Sequence, residues 1–126
     1  MTKGELGKLY SDGEVLCREG EEGSVMFVIQ DGKIRITKKT DSREVEIADL
    51  HAGDIFGEMA LFEKQPRSAT AIASGEARVL SVDRKKLFQL IDRDPTLVLK
   101  ILESMSHRIR KMDEELARLK NKELAR

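Results

Sequence analysis

An acidic and a basic side chain, Glu58 and Arg67, flank a short segment whose residue types suit anion binding ("FGEMALFEKQPRSATA", residues 56–71). Gly57 lets the backbone approach a ligand closely because glycine has no Cβ atom. A guanidinium can bind a phosphate through two parallel hydrogen bonds, whereas a carboxylate accepts hydrogen bonds from hydroxyl groups. The acid and the base therefore suit a ligand that carries a compact phosphate beside a ribose hydroxyl.

The residues between the acid and the base, "EMALF", predict one short helical turn. Free backbone N–H groups at the start of such a turn attract an anion, and Ser68 would add a hydroxyl donor. The segment also fits another structure, a surface turn closed by an ion pair between Glu58 and Arg67. Because an exposed ion pair contributes only about 0–1 kcal/mol, residue chemistry alone leaves both interpretations open.

The elements that must position these side chains are strands and turns over residues 13–82. "SVMFVIQDGKIRITKK" predicts two strands joined by Asp31-Gly32, the preferred two-residue hairpin turn. Apolar and polar residues alternate after that turn and again in "REVEIADL", where Val45 and Ile47 form the apolar side. Glycines at positions 13, 20, 23, 32, 53, 57 and 75 separate short strands. This spacing is typical of an antiparallel barrel or roll.

Helices are predicted from residue 83 onwards. Asp83 is a suitable N-cap for "RKKLFQLI", and Asp94 followed by Pro95 marks the start of a long helix. Apolar residues along that helix are spaced alternately by four and three positions, which is typical of a heptad seam. The seam comprises Val98, Leu102, Met105, Ile109, Met112, Leu116 and Leu119.

A narrow apolar seam requires a partner. It could pack across the chain's own roll or against the same helix of a second subunit. Residues 110–126 would extend about 25 Å as a helix, farther than a small roll reaches. The length of the helix therefore favours a homodimer that forms through it.

The segment "GDIFGEMALFEKQPRSATAIA" (residues 53–73) resembles the phosphate-binding cassette of cyclic-nucleotide-binding domains. These domains occur in catabolite-activator-type regulators, in regulatory subunits of cyclic-AMP-dependent kinase and in nucleotide-gated channels. The resemblance extends over about residues 8–119. It implies a mostly β fold with C-terminal helices: an eight-stranded antiparallel β-roll (about 8–82), a hinge helix (about 83–92) and a long C-helix (about 94–124). These parts would form one domain, residues 1–126.

The resemblance also implies a ligand-binding role for individual residues. Glu58 would bind the ribose 2′-hydroxyl and Arg67 the cyclic phosphate, while Arg108 of the C-helix would lie near Glu58. Backbone contacts would come from Gly57 and Ala60, in the turn that also contains Met59, and Ser68 would contact the phosphate or base. The wall near the base and sugar would be lined by Ile36, Ile47 and Ala48. The base would be capped by Met112 and Asp113.

The implied ligand is cyclic AMP, with cyclic GMP as the alternative. A hydroxyl residue after the arginine, as at Ser68, occurs in the family with both nucleotides. Asp113 could accept hydrogen bonds from the N1 and N2 donors of guanine, which keeps cyclic GMP open. Met112 and Asp113 also replace the hydroxyl residues with which catabolite-activator-type regulators read adenine. No cofactor is expected.

Composition argues against other classes of protein. Acidic and basic residues balance at 23 each, and the chain has one cysteine and two histidines, His51 and His107, far apart in sequence. An iron–sulfur centre would need several cysteines, and a metal-dependent cupin about three clustered ligands. No apolar run approaches the ~20 residues of a membrane span, and a cytoplasmic protein is expected.

The sequence thus predicts a ligand-sensing module, not an enzyme, that takes part in signal transduction. A DNA-reading module, present after the C-helix in catabolite-type regulators, is not expected in this chain. One alternative is a β-roll that has lost ligand binding and acts only in dimerisation or docking. Another is a fragment of a transcription factor or channel whose output lies in a different domain.

Overall fold

The structure is a computed structural model that describes residues 5–124. The predicted domain covers residues 1–126, of which residues 1–4 and 125–126 lie outside the described residues. The elements, in chain order, are β1 (Lys8–Tyr10), β2 (Val15–Cys17), β3 (Met26–Thr40), β4 (Arg43–His51), β5 (Ile55–Phe56), a 3₁₀ turn (Glu58–Leu61), β6 (Thr70–Val82), α1 (Arg84–Arg93) and α2 (Thr96–Leu124). The predicted mostly β fold with C-terminal helices is confirmed.

All strand pairs within the described residues are antiparallel, and β3 and β6 organise the sheet. β6 pairs with β1, β2 and β3, while β3 also pairs with β4 and β5. The ladder between β3 and β6 runs from Met26 opposite Val82 to Thr37 opposite Thr70. The described part of the chain therefore contains six strands rather than the expected eight, because these two strands are long and continuous.

The predicted hairpin turn at Asp31-Gly32 is wrong. Residues on both sides of it pair with β6 instead of with each other, and the register shifts between Ile29 and Lys33. Gly32 has a φ of 86°, and its backbone lies against Glu76 and Ala77 of the partner strand. An Asp-Gly pair supplies the positive φ that a hairpin turn and a bulge both require. The distant partner strand decides between them.

The prediction that Val45 and Ile47 form a buried face of β4 is also wrong. Val45 is 42% exposed and Ile47 is 52% exposed. β4 pairs only with β3 among the described strands, so it forms an edge of the sheet. Its apolar residues therefore lack the covering layer that an alternating pattern normally indicates.

The core consists of two clusters on opposite faces of β3. Met26 and Val28 belong to an outer cluster between the sheet and the two helices, which also contains Leu97 of α2. Phe27 and Ile29 belong to an inner cluster enclosed by the strands. Both faces of β3 are thus buried along this stretch.

The two helices begin near the predicted caps. The Asp83 side chain accepts a hydrogen bond from the Lys86 N–H, 2.7 Å away, which confirms the predicted N-cap of α1. α2 begins at Thr96, two residues after the predicted cap, and Asp94 Oδ1 still accepts a hydrogen bond from the Thr96 N–H at 3.2 Å. Leu97 and Ile101 bury the first turns of α2, whereas every residue from 106 to 124 is exposed.

Replacing Asp83 with alanine should lower the free energy of unfolding by about 1 kcal/mol, because an orphan N–H at the start of α1 loses its acceptor. Urea unfolding followed by circular dichroism would measure this change. Asp83→Asn is the matched control, since asparagine caps helices about as well as aspartate. Equal losses in the two variants would contradict a capping role.

Candidate functional site

A cavity of about 790 Å³ lies between the roll and α2. Its walls come from β3, β4, the segment around β5, the loop before β6, and the middle of α2. The sequence-predicted residues that line it are Ile36, Ile47, Ala48, Gly57, Arg67, Ser68, Arg108 and Met112. The other predicted residues, Glu58, Met59, Ala60 and Asp113, are not part of this lining.

A bulge in the ladder between β3 and β4 shapes one wall of the cavity. Ile36 lies opposite Ala48, but the next residue of β3, Thr37, lies opposite Glu46. Ile47 therefore has no partner in the ladder. Successive side chains of a regular strand point to opposite faces, so this bulge explains how Ile47 and Ala48 can both line one cavity.

Arg67 is held by its backbone and by its side chain. Its N–H donates to the Glu21 carbonyl at 2.7 Å, and its carbonyl accepts from the Gly20 N–H at 2.8 Å. Its Nη2 donates to the Val25 carbonyl at 2.7 Å, and its Cζ lies 5.2 Å from the centre of the Phe27 ring. A guanidinium has five N–H donors, so Arg67 retains donors for an anion in the cavity.

Glu58 is completely buried, with 0% of its surface exposed. Its Oε1 lies 3.0 Å from Nη2 of Arg108 and accepts a 3.5 Å hydrogen bond from the Ser104 hydroxyl. Its Oε2 is buried and has no hydrogen-bond partner among the described residues. Glu58 thus pairs with α2 rather than with Arg67, and the alternative of a surface turn closed by a Glu58–Arg67 pair is wrong.

The turn that carries Glu58 is short and anchored from below. It is a 3₁₀ turn that follows Gly57, whose φ of 76° lies in the left-handed region favoured by glycine. Leu61 anchors the turn in the outer cluster. The Ala60 N–H donates to the Gly57 carbonyl at 3.1 Å, and Met59 is 36% exposed. In this arrangement Met59 and Ala60 support the turn from outside the cavity.

Several polar residues of α2 that were not predicted from the sequence also line the cavity. They are Ser104, His107, Lys111, Glu114, Glu115 and Arg118. Most of them follow a helical spacing of three or four residues that continues through Arg108. This stripe runs beside the apolar seam, and Met112 of the seam also lines the cavity. The periodicity of the polar stripe was the available signal, but only the packing of α2 identifies it as the side that faces the roll.

Two of these residues form an ion pair along α2. Arg118 Nε donates to Glu115 Oε2 at 3.2 Å. This hydrogen bond, together with the charge of Arg118, lowers the pKa of the Glu115 carboxyl and raises the pKa of Arg118. Both groups are exposed and charged at neutral pH, so the end of the cavity nearest the C-terminus of α2 presents a donor and an acceptor side by side.

Cys17 also lines the cavity. Burial raises the pKa of its thiol above the usual value, and the positive charge of Arg67 offsets part of this effect. A thiol with a raised pKa is neutral and a poor nucleophile at neutral pH. Among residues 5–124, no group of three or more histidine, cysteine or acidic side chains is placed to hold a metal ion. No helix in the same range is long and apolar enough to span a membrane.

Comparison with known proteins places the site in a family. The model of the cyclic nucleotide-binding domain matches residues 8–94. The chain is 32% identical over 111 residues to the CRP-like cAMP-activated global transcriptional regulator of Mycobacterium tuberculosis, which covers 87% of this chain and 50% of that protein. It is 36% identical over 85 residues to cGMP-dependent protein kinase 2 of Homo sapiens, covering 65% of this chain and 11% of that protein.

A solved structure with the same fold is the catabolite activator protein of Thermus thermophilus. It matches with a TM-score of 0.79 and 30% identity, over 89% of this chain and 53% of that chain. This chain therefore spans about half or less of the length of these relatives. The matched range runs from β1 to the end of α1 and includes both Glu58 and Arg67. The chain belongs to the cyclic nucleotide-binding domain family.

Proposed function

We propose that the chain is a regulatory module that senses cyclic AMP in the cavity and transmits binding through α2. The main supporting observation is a pair of separated charged groups at one cavity. Arg67 lines it, and Glu58 is buried beside it with one oxygen atom, Oε2, that has no hydrogen-bond partner among the described residues. A cyclic nucleotide carries a singly charged phosphate next to a ribose hydroxyl, so it offers a partner to each group.

The coupling between ligand and helix would run through Glu58. Its Oε1 is held by Ser104 and Arg108 of α2, and both of these residues line the cavity. A ribose hydroxyl that binds Glu58 therefore changes the surroundings of two α2 side chains. A ligand shifts an equilibrium between two arrangements only by its different affinity for each. The carboxylate shared between ligand and α2 supplies such a difference.

Cyclic GMP is the second candidate ligand. Asp113, which was expected to accept hydrogen bonds from guanine, does not line the cavity, but the carboxylates of Glu114 and Glu115 do. These acceptors suit the N1 and N2 donors of guanine. We favour cyclic AMP because the cAMP-activated relative matches 87% of this chain, against 65% for the cGMP-dependent kinase.

The proposal includes a homodimer through α2 and no catalytic role for the module itself. From Ile109 to Leu119 the seam residues are more than half exposed, and the same helix of a second copy has the matching heptad spacing to cover them. The family match is to a ligand-binding domain, which supports a sensor rather than an enzyme. The cytoplasmic location stays a prediction.

Calorimetric titration of the purified protein with cyclic AMP, cyclic GMP and 5′-AMP tests this function. We expect cyclic AMP to bind tightest and the non-cyclic control to bind weakly. Tighter binding of cyclic GMP would select the second candidate. If none of the three nucleotides binds, the module does not sense cyclic nucleotides, and a β-roll that serves only in dimerisation or docking is the better description.

The Glu58→Gln variant should lose its ability to discriminate cyclic AMP from 2′-deoxy cyclic AMP. The wild-type protein should prefer the ribose form by about 10- to 100-fold, because a hydrogen bond to a charged group contributes about 1.5–3 kcal/mol. Competition binding with the two nucleotides measures the ratio. Glu63→Gln, an exposed acid of the same segment, should keep it. An unchanged ratio in Glu58→Gln would show that Glu58 does not bind the ribose.

A further inference from the structure

We propose that Gly23 is a positioning residue for Arg67, because the space that its missing side chain leaves is filled by the Arg67 guanidinium. This inference rests on the proposed role of Arg67 as the phosphate ligand. Gly23 lies in the turn between β2 and β3, 44 positions before Arg67 in sequence, and it does not line the cavity. It would therefore affect ligand binding only through the arginine.

The first observation is the contact that a side chain at position 23 would make. A Cβ atom on Gly23 would overlap the Nε, Cζ and Nη2 atoms of Arg67, well inside van der Waals distance. A Cβ atom on Gly57 would lie 2.6 Å from Nη1 of the same guanidinium. The guanidinium is thus enclosed between two glycines, with the Phe27 ring nearby.

The second observation separates Gly23 from the other glycines. Gly13, Gly20, Gly32, Gly53, Gly57 and Gly75 all have positive φ angles, so their backbone conformation by itself favours glycine. Gly23 has no positive φ, so its φ angle does not by itself require glycine. Among the described residues, Gly7 shares this property, but a Cβ atom there would meet the backbone of Val79. The neighbouring Arg67 side chain therefore explains why glycine occupies position 23.

The third observation is that the same turn also fixes the backbone of Arg67. Gly20 and Glu21 exchange backbone hydrogen bonds with Arg67, and Glu22 forms an isolated bridge with Pro66. The Val25 carbonyl accepts from Nη2 at 2.7 Å. With the backbone held on both sides, a methyl group at position 23 can be accommodated only if the guanidinium rotates away. That rotation would break the Val25 hydrogen bond and move the donors that face the cavity.

The Gly23→Ala substitution should therefore weaken ligand binding without lowering the stability of the fold. A flexible side-chain end can move at low cost, so Gly23→Ala should fold with stability close to that of the wild-type protein. Its affinity for cyclic AMP should fall by about 10- to 100-fold, the cost of losing hydrogen bonds to a charged group. Ser24→Ala changes the next, exposed residue of the same turn and should bind like the wild type.

A double-mutant cycle tests whether the effect passes through the guanidinium. Gly23→Ala is introduced into the wild-type protein and into Arg67→Lys, and calorimetry measures cyclic AMP affinity for all four proteins. Lysine lacks the planar group that fills the space, so the loss in the Arg67→Lys background should shrink to less than about 3-fold. An equal loss in both backgrounds, or no loss in the wild type, would overturn the proposal. If Gly23→Ala does not fold, the double variant Gly23→Ala/Arg67→Ala should fold, because it lacks the guanidinium that the methyl group would meet. A double variant that also does not fold would overturn the proposal.

A ligand-free measurement distinguishes failure of this inference from failure of the proposed function. The side-chain Nε–Hε resonance of Arg67, assigned by its loss in Arg67→Lys, is recorded by ¹⁵N nuclear magnetic resonance without nucleotide. Gly23→Ala should shift this resonance and Ser24→Ala should not. If the wild-type protein bound no cyclic nucleotide, the proposed function would fail, and the resonance alone would decide whether Gly23 positions Arg67. An unshifted resonance in a folded Gly23→Ala protein would refute the positioning role.

Discussion

The Arg67→Ala variant is expected to bind cyclic AMP about 2–5 kcal/mol more weakly than the wild-type protein, because it removes one partner of a desolvated charge pair. The guanidinium lines the cavity and is oriented by the Val25 carbonyl and the Phe27 ring. A preorganised group loses little entropy when it binds, so its removal costs more than that of a mobile surface charge. Isothermal titration calorimetry with cyclic AMP measures the difference directly.

Two controls make the Arg67→Ala result specific. Arg67→Lys keeps the positive charge but lacks the two parallel donors, so its affinity should lie between those of the wild type and the alanine variant. Adenosine, which has no phosphate, should bind the wild-type and Arg67→Ala proteins with similar affinity. Undiminished binding of cyclic AMP to a folded Arg67→Ala protein would contradict the phosphate assignment.

The Leu116→Glu variant is expected to be monomeric at concentrations where the wild-type protein is a dimer. Leu116 lies at the centre of the exposed part of the seam and is 55% exposed in the single chain. Burying a leucine contributes about 1.5–3 kcal/mol, and a symmetric dimer loses two of them. The dissociation constant should therefore rise by at least about 100-fold. Size-exclusion chromatography with light scattering measures the mass of each variant.

The matched control for this prediction is Asn121→Glu. By the heptad spacing, Asn121 lies on the opposite side of α2 from the seam. The Asn121→Glu substitution therefore adds the same negative charge as Leu116→Glu without touching the proposed interface. This variant should form dimers like the wild type. Dimers that persist in Leu116→Glu would mean that the seam does not hold two copies together.

The features of this protein that could be predicted from sequence are local or contiguous. The caps at Asp83 and Asp94 depend on residues within one helical turn, and the segment that was predicted to bind an anion is one continuous stretch. The hairpin at Asp31-Gly32 was predicted wrongly because the Asp-Gly pair serves a turn and a bulge equally well. The exposure of Val45 and Ile47 was missed because β4 is an edge strand, and edge position depends on strands far away in sequence.

By itself the sequence determined the family, the change from strands to helices near residue 83, and the charged pair Glu58 and Arg67 that lies beside and in the cavity. The sequence had placed Arg108 near Glu58, and the structure agrees. Only the tertiary structure decided that Glu58 is completely buried, that Lys111, Glu115 and Arg118 line the cavity rather than Asp113, and that Gly23 encloses Arg67. The physical reason is that helix caps, apolar spacing and short sequence motifs are set by neighbours along the chain. Which side of α2 faces the roll, and which turn encloses a side chain, depend on packing between elements that are distant in sequence.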